Sequence, residues 1–438
     1  MPMGGGTFAQ QNKVLPGAYI NFVSQNRAVS MGSRGVASLP LAMSWGPEKA
    51  FVVLEAEEFY KSARKVLGYD PTDGAVRSVR ECLKRASKLL LWRVDAGGKK
   101  AAATVGGLTV TAKYPGKRGN DIKVAVEAVP EGGFAVTTWL DTVEADEQTV
   151  ADGGALKEND YVSFVGTTLS AGAAVPLTGG TDGAADVAGY TAYLDALEVE
   201  SFTTFGYPGA DSAVQELCAA FAKRLRDSEG KKITCVMAGK AADHEGVINV
   251  KNGVVLEDGA VLDKGGAVAW VAGATAGAEV NESLTNAYYD GAVDVDVKYT
   301  AKQYEAAIKA GEFCFYAEGG KARVLTDVNS LTTFTGGKSE DWTSNRVIRV
   351  LDGWANDCAA IFAQRYIGLQ GNDDTGRALF KADLVALALQ YQAMRAIQNF
   401  ESGDVAITQG VGKRDVAVQC ALCPVDSMEK LYMTVSVE

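Results

Sequence analysis

The sequence predicts a multidomain protein of the α/β plus α+β class. Apolar strands alternate with amphipathic helices over much of the chain, and a glycine-rich run of short strands interrupts this alternation. Two long helices followed by strands then close the chain. A chain of 438 residues is long enough for about two to four domains, each with its own core.

Both ends of the chain have the pattern of a β-strand. Residues 14–23 read Val-Leu-Pro-Gly-Ala-Tyr-Ile-Asn-Phe-Val, and residues 428–437 alternate apolar and polar side chains. Such alternation is typical of a half-buried strand. A terminal strand needs a sheet to join, and that sheet can belong to another molecule. We therefore predict an N-terminal arm over 1–26 and a C-terminal arm strand over 428–438.

The segment 27–98 predicts the first part of an α/β domain. Its expected elements are a strand region over 27–45, helices over 55–67 and 76–87, and a buried strand over 89–94. In the first helix, Phe59, Ala63 and Val66 share one face. Strands and helices that alternate in this way indicate a layered α/β domain.

The segment 99–177 has a different character and predicts an inserted β-sandwich. Short strands are expected at 108–113, 122–126 and 134–139, separated by turns rich in glycine, proline, asparagine and aspartate. Many short strands with frequent turns are typical of a sandwich.

The α/β pattern resumes over 178–335. The expected elements are helices over 190–197, 210–228 and 299–310, strands over 202–205, 233–237 and 313–316, and a hairpin that returns through 323–325. Short links between strand and helix imply a mostly parallel sheet covered by helices. Because 27–98 is expected to complete this sheet, the α/β core domain is discontinuous.

The segment 336–427 predicts a compact α+β domain. Two long helices are expected over 345–366 and 374–399, with Asp373 as the cap of the second helix. Apolar residues recur in each helix at spacings of three and four, which gives each helix one apolar stripe. Strands over 405–409 and 416–422, and the terminal strand over 431–437, are expected to form a small sheet.

Composition excludes several classes of partner. The net charge is −11 without a basic tract, so nucleic acid and anionic membranes are poor partners. No apolar run reaches the roughly 18–20 residues that span a bilayer, and the start of the sequence lacks the pattern of a signal peptide. The seven scattered cysteines indicate reduced thiols of a cytosolic protein.

The residues needed for catalysis or metal binding are scarce. The single histidine, His244, is expected on the surface, and no Gly-x-Ser-x-Gly motif is present. Cys420 and Cys423 have the spacing of a redox motif or a zinc knuckle, but no second cysteine pair or nearby histidine accompanies them. Asp290, Asp294 and Asp296 lack the full pattern of a calcium loop. We therefore predict no catalytic, cofactor-binding or metal-binding residues, no cofactor and no enzymatic activity.

The order and spacing of several segments resemble the contractile phage tail sheath proteins. The likeness is to the shorter sheaths of phages and phage-like particles of Gram-positive bacteria, and it covers nearly the whole chain. The segments that carry it are 5–8, 15–19, 112–122, 177–183, 327–331, 345–352, 366–368 with 372–373, and 428–433.

This resemblance implies a fold and a role. Sheath subunits form stacked hexameric rings around an inner tube and contract to drive the tube through a cell envelope. The α/β core is expected to be subtilisin-like yet not proteolytic. The terminal arms are expected to add strands to the C-terminal sheets of neighbouring subunits through Leu15, Tyr19, Ile20, Phe22, Leu431, Tyr432, Met433 and Val435. If the C-terminal domain lines the bore, Arg377 and Lys381 of its second helix are candidate tube contacts.

The implied partners are other copies of the chain, the inner tail tube protein, and the baseplate and tail terminator proteins. The implied location is the tail of a virion or phage-like particle that is assembled in the host bacterial cytoplasm. Three alternatives remain open: the sheath of a bacteriocin particle or other contractile injector, a hydrolase with an α/β core, and a secreted surface-layer protein. A hydrolase would need a Gly-x-Ser-x-Gly motif to position its nucleophilic serine, and this sequence has none. A secreted surface-layer protein would need a signal peptide, and the start of the sequence lacks that pattern.

Overall fold

The computed structural model describes residues 4–6, 17–19 and 34–437. Near the start of the chain, strands β1 (Gly4–Gly6) and β2 (Gly17–Tyr19) pair in parallel. Among the predicted exchange residues, Leu15, Ile20 and Phe22 lie outside the described residues, and Tyr19 ends β2.

The first part of the α/β domain contains three strands and two helices. They are β3 (Val36–Leu41), β4 (Phe51–Glu55), α1 (Ala56–Leu67), α2 (Arg77–Leu83) and β5 (Lys88–Arg93). Phe59, Ala63 and Leu67 form the buried stripe of α1, whereas the predicted Val66 is only half-buried. Helix α1 ends at Gly68, whose positive φ of 73° closes the last turn.

The segment that follows is a β-sandwich, as the sequence predicts. Its strands are β6 (Ala102–Val105), β7 (Leu108–Ala112), β8 (Ile122–Ala128), β9 (Phe134–Leu140), β10 (Val143–Val150), β11 (Val162–Val165) and β12 (Gly172–Pro176). The order is β10-β9-β8-β12 in one sheet and β11-β7-β6 in the other, with antiparallel pairing throughout. Alternate residues, such as Leu108 and Val110, are buried between the sheets.

The chain then returns to α/β structure. The elements are α3 (Val187–Glu198), β13 (Thr204–Tyr207), α4 (Ser212–Lys223), β14 (Thr234–Ala238), β15 (Val247–Val250), β16 (Val254–Leu256), β17 (Val261–Leu262), α5 (Lys264–Gly277), β18 (Ala292–Val295), α6 (Ala301–Lys309), β19 (Glu312–Phe313), β20 (Phe315–Glu318) and β21 (Lys321–Val324). Sequence analysis missed α5. The helix is apolar all round because every side of it is buried, so it has no stripe to detect.

Strands from both sides of the insert share one seven-stranded sheet. Its order is β19-β15-β14-β13-β3-β5-β4, and all neighbours are parallel except β4 and β5. Alternate side chains of β5 serve the two faces: Leu89 and Leu91 pack with α1, α2 and α5, and Leu90 and Trp92 pack with α3 and α4. The predicted mostly parallel sheet is confirmed.

The last part of the chain contains two long helices and a two-stranded sheet. These are α7 (Asn345–Arg365), α8 (Asp374–Ala393), β22 (Val405–Gln409) and β23 (Val416–Cys420). Asp373 caps α8 as predicted, because its side chain accepts a hydrogen bond from the Gly376 N–H. The predicted third strand is wrong for the single chain: residues 425–437 form no strand, since neither edge of this sheet pairs with them.

Candidate assembly surface

The C-terminal segment exposes an unusual amount of apolar surface. Among residues 428–437, the six large apolar side chains are between 71% and 103% exposed. They are Met428, Leu431, Tyr432, Met433, Val435 and Val437. Within the described residues, no backbone group of this segment bonds to another backbone group. An exposed segment whose backbone groups lack backbone partners can pair with a sheet edge.

The base of this segment is fixed to the body of the protein. The Gln398 N–H donates to the Cys423 carbonyl at 2.9 Å, and the Val425 N–H donates to the Ala396 carbonyl at 2.9 Å. Farther along, the Thr285 hydroxyl donates to the Glu429 carboxylate at 2.7 Å. The arm therefore leaves the surface close to the α/β domain.

The small β22–β23 sheet has free edges to which such an arm could add a strand. Each of its strands pairs only with the other strand among the described residues. One face of the sheet packs on α7 and α8 through Val405, Ile407, Val416 and Cys420. Because an isolated pair of strands is only marginally stable in water, added strands would complete this layer.

An open cavity of about 430 Å³ lies at the end of this sheet. Its apolar lining includes Phe362, Tyr366, Phe380 and Val416. The remaining lining includes the three basic residues Arg377, Lys413 and Arg414. The cavity therefore combines an apolar surface with positive charge beside the first residue of β23.

The two predicted tube contacts lie near the start of α8 and differ in their environment. Arg377 donates to the Asn372 carbonyl at 3.0 Å and also pairs with Asp374, so its charge is held locally. Lys381 is half-buried and has no carboxylate within 4.0 Å among the described residues. Leu379, between these two residues in the sequence, is 47% exposed, and Leu389, further along α8, is 51% exposed. The outward face of α8 is therefore partly apolar.

Buried ion pairs join α7 to the α/β domain. Both carboxylate oxygens of Asp352 accept hydrogen bonds from Arg226, at 2.6 and 2.8 Å. Arg226 lies in a π-helical turn that extends α4, and it also donates to the Ile233 carbonyl at 2.7 Å. A second buried pair joins Arg349 to Asp327 at 3.4 Å. Sequence analysis missed these contacts, because partners far apart in the chain leave no local pattern.

The expectation of a surface His244 is wrong. The residue is only 6% exposed, and its ring contacts Asp227 at 3.2 Å and Glu245 at 3.8 Å. Burial lowers the pKa of His244 below 6.5, although both carboxylates oppose this shift. The loop containing Asp243 and Glu245 is polar, but Ser330 and Lys338 fold over it.

Asp227, His244 and Glu245 are close enough to hold a metal ion, but each group already has a protein partner. The Gly246 N–H donates to His244 Nδ1 at 3.0 Å, so in the neutral ring Nε2 carries the proton and donates to Asp227. Both oxygens of Glu245 accept from Lys338 at 2.8 Å. The cluster is better suited to joining chain segments than to binding a cation.

The aspartates and cysteines that sequence analysis considered as metal ligands have the following surroundings. Asp290 accepts from Arg85 at 2.6 Å and from the Trp270 ring nitrogen at 2.9 Å, and Asp294 pairs with Lys298 at 2.8 Å. Cys420 is half-buried and Cys423 is exposed. No helix in the described part of the chain is both long enough and apolar enough to cross a bilayer.

Sequence models of four phage tail sheath regions match the chain in succession. They are the tail sheath protein Gp18 domain III N-terminal region over 34–94, the phage tail sheath protein beta-sandwich domain over 96–182, the central domain over 183–330 and the C-terminal domain over 337–438.

Whole-chain comparisons agree with these matches. The chain is 36% identical to the phage-like element PBSX protein XkdK of Bacillus subtilis, over 99% of this chain and 100% of that protein. The crystal structure of the sheath tail protein from Desulfitobacterium hafniense is 45% identical, with a TM-score of 0.86 over 96% of this chain and 99% of the other. The contracted helical sheath of the anti-feeding prophage shares the fold, with 13% identity and a TM-score of 0.58 over 97% of this chain and 99% of that one.

Proposed function

The chain belongs to the phage tail sheath family, and from this membership we propose that it is the structural subunit of a contractile tail sheath. Subunits form hexameric rings that stack around an inner tube, and the sheath shortens to drive the tube through a cell envelope. The protein acts by assembly and has no enzymatic role. The observation that carries this proposal is the exposed apolar segment 428–437.

Exposed apolar side chains on an extended arm favour a second molecule that covers them. Fully burying one side chain of the size of leucine or methionine stabilises a complex by about 1.5–3 kcal/mol. Leu431, Met433 and Val435 share one side of an extended strand, and Tyr432 and Thr434 share the other. Ten residues of strand reach about 33 Å, which is enough to extend to an adjacent subunit.

The proposed acceptor is the free edge of the β22–β23 sheet in a neighbouring copy. An added strand would place Leu431, Met433 and Val435 on the face that already carries Ile407 and Val416 over the helices. Backbone hydrogen bonds would then satisfy the unpaired groups of both strands. The N-terminal arm, through Leu15, Tyr19, Ile20 and Phe22, is proposed to add another strand of the same kind.

These exchanged strands explain how subunits can reorient without separating. Each backbone hydrogen bond contributes about 1 kcal/mol net and does not depend on the orientation of the remaining domains. Residues 425–430 have no helix or strand and can absorb a change of direction. No nucleotide is needed, because the free energy for contraction is stored in the less-buried extended lattice.

The outward face of α8 is proposed to contact the inner tube. It offers the exposed apolar side chains of Leu379 and Leu389, and the half-buried cation Lys381 lies at its edge without a carboxylate partner among the described residues. Exposed ion pairs contribute at most about 1 kcal/mol each and weaken with salt, which suits a contact that must be released. Arg377 is a secondary candidate because Asp374 already neutralises it. The baseplate and the tail terminator are the remaining proposed partners.

The particle that carries the sheath is a phage, a bacteriocin particle or another contractile injector. The relative XkdK, named as a protein of the phage-like element PBSX, matches over the whole chain and supports a phage-like particle. The particle would be assembled in the host bacterial cytoplasm.

Removing the arms tests the proposal. Deletion of residues 430–438, or of residues 1–22, should give folded monomers that do not polymerise, because no intramolecular sheet requires residues 430–437. The paired change Leu431→Asp and Met433→Asp should have the same effect, because it places charge on the buried face of the exchanged strand. Light scattering and negative-stain electron microscopy measure assembly, and circular dichroism measures folding.

Thr434→Asp is the matched control, because Thr434 lies on the opposite face of the same strand and should tolerate the charge. Normal tubes from either deletion, or an unfolded core after it, would contradict the exchange of arms.

A further inference from the structure

A cavity of about 250 Å³ lies where the α/β domain meets the C-terminal helices. Its lining comes from the start of β3, the segment before β14, helix α5 and helix α7. Typical pockets for drug-sized ligands begin at about 300 Å³, so this cavity suits a small ligand with a few waters.

Positive charge is in excess around this cavity. The lining contains the four cations Arg34, Lys231, Lys232 and Arg349, but only two carboxylates, Asp352 and Asp357. Both carboxylates are engaged within the protein, and so is Arg349, which pairs with Asp327. Asp352 accepts from Arg226 through both oxygens, and Asp357 accepts from the Tyr391 hydroxyl at 2.7 Å.

Arg34 is the cation with the least compensation. Its Nε donates to the Ala278 carbonyl at 3.0 Å, and no carboxylate lies within 4.0 Å of it among the described residues. Outside the described residues, residues 1–33 contain no aspartate or glutamate, and Glu438 is the one acidic residue. Burial and the neighbouring charge of Arg349 lower the pKa of Arg34 to about 10, although the more distant charges of Asp352 and Glu279 oppose this shift. A partly buried cation that no carboxylate contacts is costly unless an anion binds beside it.

Other donors around the cavity also lack anionic partners. Lys231 donates to the Glu198 carbonyl at 3.0 Å, and Lys232 donates to the Arg226 carbonyl at 2.7 Å. The Thr275 hydroxyl is buried and lines the cavity without a hydrogen-bond partner among the described residues, and the residue is only 4% exposed. An orphaned buried hydroxyl of this kind points to a missing partner.

We infer that this cavity binds a small oxyanion, either an inorganic ion such as phosphate or a carboxylate, through Arg34 and Thr275. The guanidinium supplies paired N–H donors that match the geometry of an oxyanion. The bound anion would lie between the sheet of the α/β domain and α7, so it would strengthen the junction between them. This inference does not depend on the proposed function.

The test is isothermal titration of the full-length protein with sodium phosphate, sulfate or acetate at constant ionic strength. Saturable binding of at least one of these anions, at about one per chain, is expected. Arg34→Met should weaken that binding at least about tenfold, because it removes the charge and the paired donors. Thr275→Val, which keeps the shape of the side chain, should weaken it less. Lys309→Met is the control, since Lys309 ends α6 away from the cavity lining.

Thermal unfolding distinguishes an anion-binding role of Arg34 from a purely structural role. The bound anion should raise the unfolding midpoint of the unaltered chain and leave that of Arg34→Met unchanged. Without anion, Arg34→Met should be no less stable than the unaltered chain, because it removes a partly buried charge that no carboxylate contacts.

To identify the source of the anion, polymerisation of the Arg34→Met variant is measured in a buffer whose only anion is chloride. Impaired polymerisation would identify a carboxylate from a second copy of the chain. Normal polymerisation would identify a free inorganic ion. Failure of phosphate, sulfate and acetate alike to bind, or binding that Arg34→Met leaves unchanged, would overturn the inference.

Discussion

At single residues, buried charges are concentrated where the C-terminal helices meet the α/β domain. Arg226 pairs with Asp352 of α7, and Arg349 of α7 pairs with Asp327. Removing one partner of a buried pair typically costs about 3–5 kcal/mol, because the other charge stays buried without compensation. These side chains therefore fix the orientation of α7 on the α/β domain.

His244 should make stability depend on pH in a defined range. Its pKa is lowered in the folded state, so the unfolded chain binds a proton more readily. The stabilisation is present above the unfolded value of 6.5 and is lost as the pH falls from there towards the folded pKa. The groups that face the ring are Asp227, Glu245 and Arg226, with Lys338 paired to Glu245.

The unfolding midpoint should therefore fall between about pH 7 and about pH 5, before most carboxylates titrate. In His244→Asn this fall should be reduced, although the variant is less stable at neutral pH. Lys309→Met serves as a surface control. An equal fall in His244→Asn and in the unaltered chain would assign the pH dependence to other groups.

At the scale of elements, α5 is the central support of the α/β domain. It packs against α2 at very short distance, and glycine allows this approach. A Cβ at Gly273 would lie 2.1 Å from the Cys82 carbonyl oxygen, and one at Gly277 would lie 2.0 Å from the Arg85 carbonyl oxygen. Backbone atoms cannot move aside as the end of a flexible side chain can, so these two positions require glycine.

Gly273→Ala should lower the free energy of unfolding by about 1–3 kcal/mol, because the added methyl forces α5 and α2 apart. Gly336→Ala is the matched control, since a Cβ added at Gly336 would have no neighbour within 4 Å among the described residues. Urea denaturation followed by circular dichroism measures both variants. An unchanged midpoint for Gly273→Ala would show that the two helices can separate without cost.

The outward face of α8 provides a test of tube binding. Lys381→Glu and Leu379→Glu should each reduce assembly on the tube, because one reverses an unpaired charge and the other places charge on an exposed apolar contact. Polymers formed without the tube should be unaffected. Lys302→Glu in α6 is the control, and co-sedimentation with tube particles is the measurement. Assembly on the tube at the normal level in both α8 variants would exclude this face from the interface.

For the whole molecule, the β-sandwich is a separate unit joined to the α/β domain at one place. The chain enters and leaves it side by side, since Ala96 pairs with Ala184 and Lys99 pairs with Thr181. The contact between the two domains includes Trp45, which is 1% exposed and packs on Tyr114 with ring centroids 5.3 Å apart. Arg118 of the insert donates to the Gly68 carbonyl at 2.7 Å.

Replacing residues 99–177 by a short glycine–serine linker should leave a folded α/β domain that still assembles. The replacement must be combined with Trp45→Ser, because removal of the insert would expose the indole ring to water. The same replacement with Trp45 retained is the control, and it should aggregate. Electron microscopy shows whether rings and tubes form. Loss of rings from a folded, soluble variant would show that the insert contributes contacts between subunits.

The amino-acid sequence by itself determined much of the local structure. The apolar stripe of α8, the strands of the sandwich and the alternation over 428–437 follow from spacing, because periods of 3.6 and 2 place side chains on one face. The family also follows from short segments spread over the chain. The same alternation predicted a strand over 428–437, whereas the structure shows this segment exposed and without strand pairing.

Only the tertiary structure decided the features that join distant segments. Helix α5 was hidden because burial on all sides removes its stripe, and His244 was misplaced because Ser330 and Lys338, far along the chain, cover its loop. The Arg226–Asp352 pair and the cavity around Arg34 are formed by residues from several elements, so no local pattern predicts them. Burial and charge compensation are properties of the folded chain, whereas periodicity is already present in the linear one.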